Sequence, residues 1–251
     1  MIYQSIKDKI QPKQVFVFLT IAALILAVFA PQVAAEEKTN NKKEWEFNVG
    51  IYLWGASIGG KSASGDDVDI DFSDLIDNLK MGFMGVGEVR KGKWLFMTDA
   101  VYLDVEKNRS GGIREVDLYG WVVTPAVGYN VIEAEKGSLD LLAGARYLWL
   151  KSELDFIEGR KFSGSGDVWD GIVGLKGRIN LAKNWYLPLY LDIGTGDTDL
   201  TWQAFGGIAY KFSRLDVILA YRYLSWDFDD KKKVFDDLNF HGPFAGVQFS
   251  F

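Results

Sequence analysis

Without cysteine, catalytic chemistry falls to histidine, serine and the carboxylates, and this chain arranges few of them usefully. His241 is its single histidine. A strand-period register puts Ser225 in a similar phase on the preceding strand. Imidazole beside a serine hydroxyl is the minimum for base-activated attack on an ester. No acid is placed by the sequence to orient the imidazole, and such a pair depends on one. The run Asp66-Asp67-Val68-Asp69-Ile70-Asp71 concentrates carboxylates, but it lacks the spaced ligands, mid-loop glycine and closing glutamate of a calcium loop. A solvated loop is the better reading. Gly85-Val86-Gly87 lacks the third glycine and following helix of a dinucleotide fingerprint, and sits on a strand. No enzyme, cofactor or metal site is expected from these features.

Composition narrows the class. The absence of cysteine excludes disulfides and thiolate zinc sites. Lys7, Lys9 and Lys13 precede the uncharged stretch Val15–Ala30, and small residues follow at Val33-Ala34-Ala35. This is the layout of a cleaved export signal over 1–35, and the apolar run is shorter than the ~18–20 residues of a membrane-spanning helix. Segment 36–43 then reads as a short periplasmic lead, and 44–251 as one domain. Removing three lysines and one aspartate takes the formal charge from −6 to −8, and so acidic a protein is a poor partner for nucleic acid. Aromatics at 15%, with 9 tryptophans and 27 glycines, are unusual for a soluble domain. They suit a transmembrane barrel whose strands alternate lipid-facing and lumen-facing residues.

Ten segments alternate in this way. Trp94, Tyr102, Tyr119, Tyr129, Trp149, Trp169, Trp185, Trp202 and Tyr210 fall in the apolar phase near strand ends, where aromatic girdles belong. The connections 91–93, 133–137, 181–184 and 213–214 are short, and those between them are mostly longer and more polar. The expected fold is therefore all-β: an antiparallel up-and-down transmembrane barrel of about ten strands, with eight as the alternative, and both termini periplasmic. The opposite phase carries Glu46, Glu88, Asp99, Asp140, Asp170, Asp192 and Asp216 against Arg90, Arg146, Lys176, Arg178, Lys211 and Arg222. Seven acids against six bases make a balanced lumen, whereas a selective pore would show one sign. Opposite charges crowded there should pair. The first long connection, 59–80, can form a short helix over 74–79, capped by Ser73, with Leu75, Ile76 and Leu79 as an apolar stripe. That stripe should cover the mouth or pack on the rim.

Pro243, Ala245, Val247, Phe249 and Phe251 alternate up to a terminal phenylalanine. This ending resembles the C-terminal strand that the barrel-assembly machinery of bacterial outer membranes recognises, which makes Phe249 and Phe251 the assembly signal. Together with Val68–Leu79, Phe83–Trp94 and Asp99–Asp104, it makes the chain similar to small, porin-like outer-membrane β-barrel proteins of poorly known role. The resemblance implies an outer-membrane location, with lipid and lipopolysaccharide as surroundings and divalent ions available to bridge loop carboxylates to the latter. It carries no catalytic assignment. A structural or anchoring barrel with a charge-laced, largely closed lumen is expected. A narrow channel for small solutes is the alternative, and a lipid-modifying hydrolase using His241 and Ser225 a minor one.

Overall fold

The computed structural model describes residues 45–62, 67–70, 79–108, 113–156, 161–228 and 235–251. The export signal and the 36–43 lead lie outside them. Twelve strands form: β1 Trp45–Trp54, β2 Ser57–Ser62, β3 Asp67–Ile70, β4 Leu79–Lys91, β5 Trp94–Asn108 and β6 Ile113–Ala134. The remainder are β7 Gly137–Phe156, β8 Lys161–Asn180, β9 Trp185–Gly196, β10 Leu200–Lys211, β11 Leu215–Asp227 and β12 Phe235–Ser250. Ten of them, β1 and β4 to β12, pair antiparallel in sequence order, and β1 closes the ring against β12. Closure gives every strand of the ring a neighbour on both sides, so most backbone groups pair within the sheet, the condition for a sheet to sit in hydrocarbon.

Alternation decides which way the ring faces. Phe47, Val49, Ile51 and Leu53 point outward and are exposed, while Gly50, Tyr52 and Trp54 between them are buried. Phe83, Trp94, Phe96, Trp121, Tyr129, Trp169 and Trp185 are likewise exposed on the outer face. An outer face so apolar is stable only against lipid. Its aromatics meet across strands, as in Trp94 against Tyr129, Tyr102 against Trp121, and Trp185 against Tyr210.

One end of the ring carries tight turns. Gly92 turns β4 into β5 at φ +58°, a left-handed conformation that favours glycine. Trp45 and Phe251 lie at this same turn end, where Phe47 and Phe251 exchange backbone hydrogen bonds of 3.3 and 2.9 Å. The other end, the loop end, is uneven. β6, β7 and β8 run to 22, 20 and 20 residues, against 12 for β9 and β10. About 9–11 residues suffice to cross a bilayer, so the β6–β8 side stands well above it.

Three connections depart from expectation. The start of the 59–80 connection is a hairpin: β2 continues the line of β1 along β12, and β3 folds back on β2. Leu79 begins β4, opposite Val105, and does not end a helix; 71–78 lie outside the described residues. The polar stretch 153–166 reads in sequence as another long loop but is mostly strand, because β7 continues to Phe156 and β8 starts at Lys161. The β9–β10 connection is only 197–199. There Thr198 is buried, donating from its backbone N–H and its hydroxyl to Asp170 Oδ1 at 3.0 and 2.9 Å.

Prolines interrupt the ladder: between β9 and β10 pairing lapses at Pro188, from Gly206↔Leu189 to Ala209↔Tyr186. The β6–β7 ladder skips Thr124 and Pro125, with pairing interrupted between Val123↔Tyr147 and Ala126↔Gly144, because proline has no N–H to give. A Cβ on Gly144 would lie 2.3 Å from the Pro125 carbonyl oxygen and 2.8 Å from Ala126 Cα, whereas one on Gly87 would meet nothing within 4 Å. Gly144→Val should therefore abolish the heat-modifiable folded band on cold gel electrophoresis, and Gly87→Ala should leave it unchanged. A folded Gly144→Val barrel would contradict this packing.

Candidate functional site

The candidate site is the lumen. It divides into three zones along the barrel axis, each set by how far its residues stand from the turns.

Nearest the turns, charges pair across the bore. Arg90 donates to both oxygens of Asp140, at 3.0 and 2.6 Å, and Asn130 Nδ2 adds a third bond to that carboxylate at 3.0 Å. A planar guanidinium matched to a carboxylate in this two-bond fashion is among the stronger polar contacts a protein makes. Lys176 forms an ion pair with Glu88. Arg178 stacks its guanidinium 5.3 Å from the Tyr186 ring centre, and the Tyr186 hydroxyl donates to Asp216 Oδ2 at 2.6 Å. Glu46 is half-buried at this mouth. Lys211, expected among the lumen charges, is exposed on the rim beside the 212–214 turn, because β10 ends there.

Two arginines hold the middle. Arg222 donates through Nη1 to the Tyr52 hydroxyl at 3.0 Å, and through Nη2 to Asp99 Oδ1 and Gln203 Oε1, both at 2.8 Å. The Tyr52 hydroxyl in turn donates to Asp99 Oδ2 at 2.8 Å. Four strands, β1, β5, β10 and β11, thus meet on one guanidinium. Arg146 donates to Thr201 Oγ1 at 2.9 Å and to Asp192 Oδ2 at 2.5 Å. Neither Arg146 nor Asp192 has any exposed surface. Asp170 is taken up by Thr198, as above.

Toward the loop end the lumen is apolar. Trp54, Val101, Val122, Leu148, Trp226 and Phe240 belong to one buried cluster that Phe228 and Leu238 extend. Charge pattern alone does not reveal this zone, because Trp54, Trp226 and Phe240 carry no charge and stand outside the girdle positions. The signal was present: Trp54 shares the phase of Glu46, Trp226 that of Arg222, and Phe240 and Phe244 alternate with His241 and Pro243. The three zones line the bore with charges of nearly balanced sign toward the turns and with apolar side chains toward the loop end.

His241 faces outward. Its Nδ1 lies 3.0 Å from the Tyr221 hydroxyl, and its ring stacks on Tyr223 at 5.7 Å. Ser225 is buried nearby, across from Asn239. The imidazole's hydrogen-bond partner is a phenol, which lacks the charge of an orienting acid. Among the described residues no group of carboxylates and imidazoles is gathered as for a metal ion. Asp67, Val68, Asp69 and Ile70 of the acidic run form β3.

No family model matches the chain, and no curated protein resembles it in sequence. Solved structures do match. The attachment invasion locus protein Ail of Yersinia pestis is 17% identical, with 83% of this chain and 99% of that one covered at a TM-score of 0.41. The outer membrane protease OmpT from Escherichia coli is 11% identical, with 87% and 100% covered and a TM-score of 0.47. The translocator domain of the autotransporter NalP from Neisseria meningitidis is 14% identical, with 95% and 98% covered and a TM-score of 0.44. Likeness this distant carries no activity across. On its own closed ladder, outward apolar belt and polar interior, the chain is a ten-stranded outer-membrane β-barrel.

Proposed function

We propose that the protein is a structural or anchoring barrel of the outer membrane, non-enzymic, with a lumen closed to ions. The observation that supports this best is the Arg146–Asp192 pair, which is fully buried mid-bore. A water-filled channel would leave at least one of these charges accessible. The Arg222 cluster beside it and the Arg90–Asp140 pair below supply equal numbers of opposite charges, where an ion-selective constriction would use one sign. Ten strands also lie close to the eight that leave an interior just wide enough for side chains.

In this reading the turn end, with both chain ends, faces the periplasm, and the tall β6–β8 wall faces outward toward lipopolysaccharide. Phe249 on β12 and Phe251 just past its end, both exposed, serve the assembly machinery, so deleting Phe251 should lower the yield of folded barrel in cells. Single-channel recording of the refolded protein in planar bilayers is the direct test. No steady openings are expected; stable, large, ion-selective openings would overturn the closed-lumen reading. His241→Ala should leave the mass spectrum of membrane lipid A unchanged, and a lost lipid A species would reinstate an enzyme.

A further inference from the structure

The barrel wall is not laddered to its full height between β1 and β4. Pairing there runs from Trp45↔Lys91 to Ile51↔Gly85 and stops. Beyond that point Tyr52, Leu53 and Trp54 continue to pair with β12, and Gly82, Phe83 and Met84 with β5, but among the described residues the two strands no longer pair with each other. β2 carries the chain further along β12 and away from β4. The Trp54 backbone N–H, which would reach a β4 carbonyl in a continuing ladder, instead donates to the Met84 sulfur at 3.2 Å, a weak acceptor on a flexible side chain.

This seam lies where a membrane amphiphile would keep its head. Tyr52 and Trp54 are the eighth and tenth residues of β1, at the far limit of a strand that crosses in about 9–11 residues. Leu53, 78% exposed, and Phe83 flank the seam on the outer face. Behind it lies the apolar zone, entered past Trp54 and Met84. An open strand edge in hydrocarbon is tolerated where it lines a cavity or passage, and is otherwise costly.

Three N–H donors in that region have no acceptor: Trp54 Nε1, Trp226 Nε1 and Arg222 Nε. Their residues are nearly or wholly buried. Arg222 stacks 4.6 Å from the Trp54 ring centre, and Phe240 sits between the indoles at 6.2 and 5.8 Å. Buried donors are normally paired. Because Asp99 already balances the charge of Arg222, a further anion would be left unmatched. The chemistry calls for a neutral oxygen on an apolar body.

We propose that the β1–β4 seam is a lateral portal through which a neutral amphiphile, an alkyl chain bearing a hydroxyl or carbonyl oxygen, passes from the membrane into the loop-side lumen. Its oxygen accepts from the Trp54 and Arg222 donors, and Met84 is the movable stop. Nothing passes through the bore in this scheme, since the ionic zones below stay closed.

The test uses the full barrel refolded in phosphatidylethanolamine–phosphatidylglycerol vesicles, with hexadecanol carrying a mid-chain diazirine as probe and the matching hexadecanoic acid as comparison. After photolysis and mass spectrometry, the alcohol should label lumen-facing Trp54, Met84 or Trp226. The acid should label only outward residues such as Leu53 and Phe83. Because the chain has no native cysteine, Leu53→Cys with Phe83→Cys supplies one thiol on each side of the seam, facing each other in the register a continued ladder would take. Oxidation should cut lumen labelling about tenfold, a change worth ~1.4 kcal/mol, and reduction should restore it. Met84→Ala, which removes the stop without a cross-link, should raise it. Labelling confined to outward residues, equal lumen labelling by acid and alcohol, or lumen labelling indifferent to both the cross-link and Met84→Ala would overturn the portal. Conductance tests the closed bore separately, so the two readings can fail independently.

Discussion

A charge removed from water must find an opposite charge or a set of hydrogen bonds, or the structure that buries it is destabilised by several kcal/mol. The interior of this barrel is organised around that requirement. Arg146 has no exposed surface and reaches Asp192 and Thr201; Arg222 reaches Tyr52, Asp99 and Gln203. These partners come from β1, β5, β9 and β10, while the arginines stand on β7 and β11, so each guanidinium ties together strands that are not all neighbours in the sheet. The ladders make the wall, and the arginines fix which parts of the wall face one another across the bore.

The sorting of aromatic residues follows from the same division of environments. Outside, rings lie in the lipid-facing belt and meet in cross-strand pairs. Inside, Trp54, Trp226 and Phe240 fill the loop-side bore above the level where charges are paired. Charges in a lumen need partners, and the pairs made by Arg222, Arg146, Arg90 and Lys176 lie at or below that level. Apolar side chains take over there, at the height where the wall loses its ladder between β1 and β4.

Much of this was legible in the residues. Period-two alternation, four short turns and an even strand count led to the ring of ten. The inward phase of Asp99, Asp140, Arg146, Asp192 and Arg222 was legible because a lone charge among alternating apolar residues marks its own side. Which acid meets which base was not, since that depends on strand stagger, which periodicity does not encode. The hairpin β2–β3 was missed because Gly59-Gly60 reads as a loop, and its strand character comes from the edge that β12 offers. The length of β7 and β8 was missed for a related reason: up to Phe156 and again from Lys161 the polar run is strand through mutual pairing, not through propensity. Lys211 was placed one position too deep, at a strand end where phase says nothing about height.

The claim that buried, mutually paired charges close the bore is tested most directly on Arg146 and Asp192. A double-mutant cycle of Arg146→Met and Asp192→Leu, followed by reversible urea unfolding in lipid vesicles, reads their coupling. Each single change should cost ~3–5 kcal/mol, because it strands the other charge in a dry interior. The double variant should lose less than the more damaging single one. Small, additive losses would show that both side chains stand in water, and the bore would then be open.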